Sequence, residues 1–527
     1  MVGGSNNQSV LPVLCRRHSP GSQKTKMMRK WVSPLALAAC LMAGHTNALW
    51  GSDVQPTTAR GDSFPTAIGA NGVLTSSSIL FRFPVLSVNV PSSGGGASVA
   101  VDKVQGAPPR TRTVVAFGNA VNAAGRLLVA DNAAFTKSTP AQTYKAKSDR
   151  IVLATDDSGV DPTGTTDSGA AINRLLVGGS VKITLPCGTY LISTPILIPS
   201  NSSLIGSGAC SELRGSVGLT SNSQWVSAGY ADVAVTNIVS NSNFVSGNSN
   251  IEIANLKITQ PSAAAAGNEH LVSFVNASYV NVNNIIFIGS NSSSTQDAIS
   301  FVKSSRYYVE NNKCYAVSNA CYDQWSQVHD FVISNNVVEG GGRLTYGILI
   351  NAIVGPKSAR VSGTSYNGVI SGNVVKNTTN VGIGVWALSF SSAVSYVKWF
   401  TISSNVVDTV SKYYGIYVAQ GDHVVVTSNV VRESAGNGIH IASVNEQAIT
   451  DITVTGNTIE RSSKVNNGVY VGASASNVTI FGNRISVGAY SLYVAKGATY
   501  TNIGYNNIKA GATGAVIDRD TNSVDFR

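Results

Sequence analysis

Two residues 23 positions apart, Tyr417 in the phrase YGIYVA (414–419) and His440 in NGIHIA (437–442), form the most suggestive pairing in the chain. Each phrase reads as a short strand with alternate side chains on one face. If the two strands lie side by side, these side chains stand about 5 Å apart. An imidazole poised near neutral pH can take a proton from the carbon beside a carboxylate, and a phenol can protonate the departing oxygen. That chemistry is β-elimination, and it requires no metal. The phrase recurs as ACYDQW (320–325), YGILIN (346–351), VGIGVW (381–386), NGVYVG (467–472) and YSLYVA (490–495). The outward residues then read Tyr322, Leu349, Gly384, Tyr417, His440, Tyr470 and Tyr493, with Trp386 and Tyr414 alongside. Sugar rings stack on such aromatic faces, so Tyr322, Trp386, Tyr414, Tyr470 and Tyr493 are candidate substrate-binding residues. The alternative is an aromatic ladder that only stiffens a sheet. Asp297 and Asp323, one repeat apart, are the second acid–base candidates, and Asp422 and His423 are also near the expected groove.

These phrases belong to a longer repeated sentence. FVISNNVV (331–338), FTISSNVV (400–407), VVVTSNVV (424–431), ITVTGNTI (452–459) and VTIFGNRI (478–485) share an Asn between two apolar, strand-like pieces. The matching Asn is residue 312, 336, 373, 405, 429, 457, 483 and 506; most steps are 23 to 28 residues, with 37 and 32 on either side of Asn373. IEIANLKI (251–258) and VNVNNIIF (280–287) extend the pattern upstream, with Leu256 and Ile285 at the Asn position. Three strands per repeat and no helix at this period mark a solenoid. Inward residues such as Val424, Val426, Ile439 and Ile441 then stack into a continuous aliphatic core. Asn suits the bend because it tolerates left-handed backbone and its amide can bond the next coil, a structural role. Three residues after the Asn runs a charge stripe, Glu339, Lys376, Asp408, Arg432 and Glu460, whose alternating signs suit neighbouring strands.

The repeats, together with residues 164–209 (GTTDSGAAINRLLVGGSVKITLPCGTYLISTPILIPSNSSLIGSGA), resemble the pectate lyase superfamily. The resemblance covers about residues 150–517 and implies an all-β fold, a right-handed parallel β-helix of three sheets with a short N-terminal capping helix. That helix is expected near 168–177, capped by Asp167 or Ser168, burying Ile172, Leu175 and Leu176, and ended by Gly178-Gly179. The resemblance also implies that the strand after each Gly lies in the sheet bearing the binding groove. It implies a polysaccharide partner, first of all an acidic, uronate-containing exopolysaccharide cleaved by elimination, with Arg432 reaching a uronate. A glycoside hydrolase or epimerase on the same groove is the alternative, as is a non-catalytic polysaccharide-binding surface protein. TQDAISF (295–301) is similar to the strand carrying paired aspartates in polygalacturonases, with Gln296 in place of one. The Gly-His-Gly and Arg-Ile-Lys motifs of that family do not occur, nor does a tight Asp cluster of the calcium-dependent lyase kind. No metal and no cofactor are expected.

The rest of the chain bounds where such a protein works. Met27-Met28-Arg29-Lys30, an apolar run from Trp31 to Gly44 and Thr46-Asn47-Ala48 read as a signal peptide cleaved before Leu49. Translation is then expected to start at Met27 or Met28, with 1–48 as leader and a secreted or periplasmic product. The rival reading is a lipobox at Leu37-Ala38-Ala39-Cys40, giving an outer-membrane lipoprotein through Cys40. No other apolar run is long enough to span a membrane. The net charge of +10 is concentrated in that leader: residues 1–48 hold six Lys or Arg and no acid, leaving 31 basic against 27 acidic residues. A net of +4 permits an acidic polysaccharide, and no basic run with interleaved aromatics points to nucleic acid. Beyond the leader remain Cys187, Cys210, Cys314 and Cys321, an even number suited to an exported chain. Cys187 and Cys210, 23 apart and so about one coil, can be bridged neighbours, and Cys314 and Cys321 can pair locally. Residues 49–149, rich in Ser, Gly, Ala and Thr, read as a β-rich or partly disordered region before the β-helix domain at 150–527. Nothing in the sequence sets the oligomeric state.

Overall fold

One coil shows how the chain winds. Gly421–Thr427 forms one side, the chain bends at Ser428 into Val430–Ser434 on the second, a turn follows, and Ile439–Ile441 crosses the third. Each strand pairs in parallel with its counterpart one coil earlier and one coil later, as Val424 does with Phe400 and Ile452. Period-2 alternation of β-branched residues with Ser, Thr and Asn explains the strands, because one face must enter the core and the other meets water. Val424, Val426, Ile439 and Ile441 are fully buried, as expected. Burying each such side chain contributes about 1.5–3 kcal/mol, so the stack as a whole holds the coil together. The computed structural model describes residues 150–526 apart from 232–234, 261–268, 291–295, 355–360, 388–395, 444–447, 461–465, 488, 510–512 and 521–523. It also describes the strands Ser87–Asn89, Ala97–Ala100 and Thr113–Ala116, which pair antiparallel. The expected leader, Cys40 and most of 49–149 lie outside the described residues.

The architecture is a right-handed parallel β-helix. One long sheet runs from Ile196–Ile198 to Gly514–Asp518 and includes Ala320–Trp325, Tyr346–Asn351, Val381–Trp386, Tyr414–Ala419 and Ile439–Ile441. The remaining strands complete the coils. At the N-terminal end the helix Gly169–Leu176 packs Ala171, Ile172 and Leu176 on the core, and Gly178 and Gly179 end it with left-handed backbone (φ 85° and 69°). Of the two expected caps, Asp167 takes the first N–H of the helix and Ser168 does not cap it. Ser168 Oγ accepts the Asp161 N–H, while Asp167 Oδ1 accepts the N–H of Gly169 and of Ser193 in the next coil. Cys187–Cys210 and Cys314–Cys321 are both disulfides.

The repeated Asn residues, from Asn312 to Asn483 essentially fully buried and with Asn506 at the open end, form one polar ladder along the core. Asn405 is typical: Nδ2 donates to Ile370 O and to Asn429 Oδ1, each at 2.9 Å, and Oδ1 accepts Asn373 N and Nδ2. At its N-terminal end the ladder closes on Ile285, whose N–H donates to Asn312 Oδ1. The left-handed bend belongs to the preceding residue, as at Asn311, Asn335, Ser404 and Ser428 (φ 56–57°). The ladder Asn is chosen for its amide, the residue before it for its backbone.

Candidate functional site

The outer face of the long sheet carries two rows. Register runs Ser300, Asp323, Leu349, Gly384, Tyr417, His440, Tyr470, Tyr493 along the main row. A second row at the strand starts runs Asn237, His270, Asp297, Ala320, Tyr346, Val381, Tyr414. The expectation for Tyr322 is therefore corrected. It pairs with Ile299 and Ile348 at an inward position and is wholly buried, and Asp323 holds the stripe position. Tyr322 reads as outward in ACYDQW because a phenol there suits a polar face. The core takes it in beside other polar groups on the same strand face: Tyr307 Oη donates to Gln324 Oε1 at 2.6 Å, within a stack of Phe301, Tyr307 and Phe331.

The C-terminal half of the face is the aromatic stripe. Tyr417 and His440 stand with ring centroids 5.2 Å apart. His440 is sandwiched between Tyr414 (3.9 Å, 7° between planes) and Tyr470 (4.7 Å, 5°), and Tyr470 stacks on Tyr493 at 5.4 Å. The rings thus spend their faces on each other and turn edges and hydroxyls outward. Burial in this stack pushes His440 down to about 3, so the imidazole is neutral at physiological pH. Its Nδ1 lies 2.6 Å from Asn437 Nδ2, an amide donor, which puts the ring hydrogen on Nε2. The expectation that His440 is poised near neutral pH is corrected on both counts. Burial, then Tyr414, raise Tyr417 to about 12. Trp386 is 7 % exposed and lies over Gly384, where an added Cβ would meet the indole at 2.9 Å, and it packs against Tyr346 and Tyr417.

Three expected neighbours of this stripe lie elsewhere. Arg432 belongs to another sheet, where Asp408 and Glu460 flank it in register and its Nε is 3.7 Å from Glu460 Oε2. Outwardness was legible for Arg432, but not which sheet it faces out from. Asp422 and His423 are likewise on another sheet, with Asp451 beside them. Their carboxylate and imidazole atoms converge within 4.8 Å, a donor set that a cation could use. Lys398 Nζ, 3.1 Å from Asp422 Oδ2, already supplies positive charge there.

The N-terminal half of the long sheet's outer face holds a buried acid–base cluster. Asp297, Asp323 and His270 are 2 %, 1 % and 7 % exposed. His270 Nδ1 lies 2.9 Å from Asp297 Oδ2, at ion-pair distance but outside hydrogen-bond geometry. Asp297 Oδ1 accepts the Ala320 N–H at 2.9 Å and the Asn319 amide at 2.8 Å. Asp323 Oδ2 accepts the Trp325 indole N–H, and its buried Oδ1 has no hydrogen-bond partner among the described residues. Desolvation, and then the Asp297 charge, push the Asp323 carboxyl well above the usual carboxylate range. Gln296 donates to Glu269 Oε2 at 2.7 Å, so the residue in place of a second aspartate is bonded beside the cluster. The cover is local. Ser221–Asn222 pairs antiparallel with Val235–Thr236, a helical turn at Gln224–Ser227 follows, and Trp225 stacks on His270 at 5.2 Å. Trp225 Nε1 donates to Asn237 Oδ1 at 2.8 Å, fixing the cover to the sheet.

His270 was not singled out from the sequence, although a signal exists. HLVSFV (270–275) and DAISFV (297–302) end in the same three residues 27 apart, which sets His270 directly against Asp297.

Comparison with known proteins agrees with this architecture. Residues 152–351 match the family model "Rhamnogalacturonase A/epimerase, pectate lyase-like", and residues 391–527 match the right-handed β-helix region. The chain thus carries a pectate lyase-like region followed by a right-handed parallel β-helix region. A comparison with curated proteins finds no match. Among solved structures it is similar to the A-module of the mannuronan C-5 epimerase AlgE4 of Azotobacter vinelandii (14 % identity, 71 % of this chain and 99 % of that one, TM-score 0.46). It is also similar to PfbA, a surface adhesin of Streptococcus pneumoniae (13 %, 69 % and 93 %, 0.46). A third is a family 28 exopolygalacturonase of Yersinia enterocolitica (12 %, 72 % and 79 %, 0.49). No helix among the described residues is long and apolar enough to cross a membrane.

Proposed function

We propose that the protein is an exported polysaccharide-processing enzyme that hydrolyses glycosidic bonds at the Asp297–Asp323–His270 cluster. The observation that carries this reading is the opposite setting of two neighbouring carboxyls. Asp297 accepts a backbone N–H and an amide at one oxygen and has the His270 imidazole 2.9 Å from the other, while burial and the charge of Asp297 favour a protonated Asp323. In this reading Asp323 gives its proton to the glycosidic oxygen. Asp297 takes a proton from the water that attacks the anomeric carbon, and a new reducing end is released. His270 positions Asp297. The segment carrying Trp225 must lift to admit a sugar, and in its closed position it excludes the water that would otherwise level the two carboxyls. The polymer then lies along the same face, past the edges and hydroxyls of Tyr414, Tyr417, Tyr470 and Tyr493.

Elimination on an acidic polysaccharide at Tyr417 and His440 is the second reading, favoured by the 5.2 Å separation of their rings. One experiment separates the two. A panel of polyuronates, exopolysaccharides and neutral glycans is incubated with the enzyme while reducing ends and the ultraviolet absorbance of unsaturated ends are followed together. Hydrolysis gives reducing ends without absorbance, and Asp323→Asn or Asp297→Asn lowers their release at least about a hundredfold. Absorbance that survives Asp323→Asn and is lost in Tyr417→Phe and His440→Ala would transfer the chemistry to the aromatic stripe.

A further inference from the structure

Beside the acid–base cluster, where the strands of the long sheet turn toward the next side of the coil, is a cavity of about 440 Å³. It is lined by Asn276, Lys303, Gln327, His329, Thr364 and Tyr366. That volume is within the range of about 300–1,000 Å³ in which small-molecule sites fall. One wall is aromatic: His329 and Tyr366 stack on each other at 4.6 Å with 5° between planes and so border the cavity with their edges, and Trp399 meets the Tyr366 ring edge-on at 6.4 Å. Facing it are two amides, a hydroxyl and one ammonium.

The ammonium is the informative group. Lys303 makes no ion pair among the described residues, and its Nζ stands over the Tyr230 ring at 5.2 Å. No lining residue carries a carboxylate; Asp330, next to the lining, is engaged by His329 Nδ1 at 3.0 Å and by Asn367 at 2.9 Å. Backbone geometry sets the lining in successive coils. Asn276, Lys303 and Gln327 all adopt left-handed conformations (φ 52°, 46° and 53°). Asn meets little resistance there, whereas Lys and Gln hold such a conformation only at a cost. The turn is tied in place, with Lys303 N donating to Ser326 O at 3.0 Å and Asn276 Nδ2 to Phe244 O at 2.6 Å.

We infer that this cavity is an accessory binding site for a single anionic sugar, a pyranose bearing a carboxylate, lying outside the aromatic stripe. A pyranose chair with a carboxylate at one edge and hydroxyls around it matches the polar lining group by group. The carboxylate meets Lys303, the hydroxyls meet Asn276 Oδ1, the Gln327 amide and Thr364, and the sugar borders the ring edges of His329 and Tyr366, while Asn276 Nδ2 is held by Tyr230 and Phe244. Lys303 N is 3.2 Å from Trp325 O, and the Trp325 indole is the donor to Asp323, so a chain or branch anchored here is held next to the acid pair. Binding at this cavity does not depend on the hydrolytic reading.

The test is titration of the full chain, and of its Asp323→Asn variant, with methyl glucuronide and with methyl glucoside, by calorimetry and by the ring proton resonances of Tyr366 and His329. The glucuronide is expected to bind in the millimolar range to both proteins and at least about tenfold more tightly than the glucoside. Lys303→Gln is expected to remove that preference, while Lys313→Gln, an exposed lysine on another strand, retains it. Unchanged thermal melting of Lys303→Gln establishes that its fold is intact; Tyr366→Ala serves as a second variant if it is not. Equal affinity for the two glycosides, a preference unaffected by Lys303→Gln, or no glucuronide binding at millimolar concentration would overturn the inference. Loss of turnover in Asp323→Asn with glucuronide binding retained would separate this site from the catalytic one.

Discussion

Replacing Asp323 by Asn tests the acid–base cluster through stability as well as activity. Asn has the shape of Asp, and its oxygen can still accept the Trp325 indole N–H that Asp323 Oδ2 accepts. What it lacks is a titratable proton. In the folded protein burial and the Asp297 charge raise the Asp323 pKa above its ordinary 3.8, so over the window above 3.8 the folded state holds one more proton than the unfolded state. Stability must then fall as pH rises through that window, by about 1.4 kcal/mol per pH unit. Asp323→Asn removes the proton and the slope with it. Relative to wild type, the variant should gain stability as pH rises above 3.8, read as a melting temperature that climbs against that of wild type. It should become the more stable protein at neutral pH while losing at least about a hundredfold in turnover, the trade expected where a destabilised group is retained for chemistry. Asp297→Asn adds an internal control: without the neighbouring charge, Asp323 titrates closer to its ordinary value and the window narrows. Differential scanning calorimetry from about pH 4 to about pH 8, beside a reducing-end assay, reads both effects. Parallel stability curves for wild type and Asp323→Asn would mean that Asp323 is ionised in the fold, and the assignment of the acid would fail.

The other expectations concern the ladder, the stripe and the disulfide. Asn405→Ala strands the Ile370 carbonyl and the Asn373 amide in the core and should cost about 3–5 kcal/mol in denaturant melts, whereas Asn506→Ala, at the open end of the ladder, should cost less than half of that. His440 has its pKa lowered from 6.5 to about 3, so the unfolded chain binds the extra proton and stability is lost as pH falls through that window. With the ring edge still partly exposed the loss is on the order of 3 kcal/mol, and His440→Phe should abolish it in melts at acid pH while keeping the stack. Opening Cys187–Cys210, which closes a separation of 23 residues, should cost about 3 kcal/mol, seen as a lower melting temperature of the Cys187→Ser/Cys210→Ser double variant.

The fold was legible because a solenoid writes the same constraint once per coil. Val424, Val426, Ile439 and Ile441 each have a counterpart in register one coil away, and a buried amide every coil leaves a trace as plain as Asn405 and Asn429. The site was less legible, for three separate physical reasons. Parity along a strand is exact only if its starting residue is known, and one step turned Tyr322 inward and Asp323 outward. Alternation says that Arg432 faces out, but a three-sided coil has three outsides. The charge state of His440 depends on Tyr414 and Tyr470 closing over both of its faces, and ring stacking across coils is not a property of any single strand.

Those misreadings also show why the two halves of one face differ in chemistry. In the C-terminal half the row residues Tyr417, His440, Tyr470 and Tyr493 are large enough to shield one another, and neutral rings tolerate burial without further partners. In the N-terminal half the row is Ser240, Ser273, Ser300 and Asp323, side chains too short to exclude water by themselves. A segment from outside the repeat supplies the missing bulk with Trp225, which stacks on His270 and packs on Phe244, and Trp325 at the end of a repeat strand meets the same imidazole edge-on. The repeat therefore builds the rail, and the departure from the repeat at 221–231 builds the low-dielectric chamber in which a carboxyl can remain protonated. Chemistry is expected where the coil is interrupted, and contact with an extended polymer where the coil runs on unbroken.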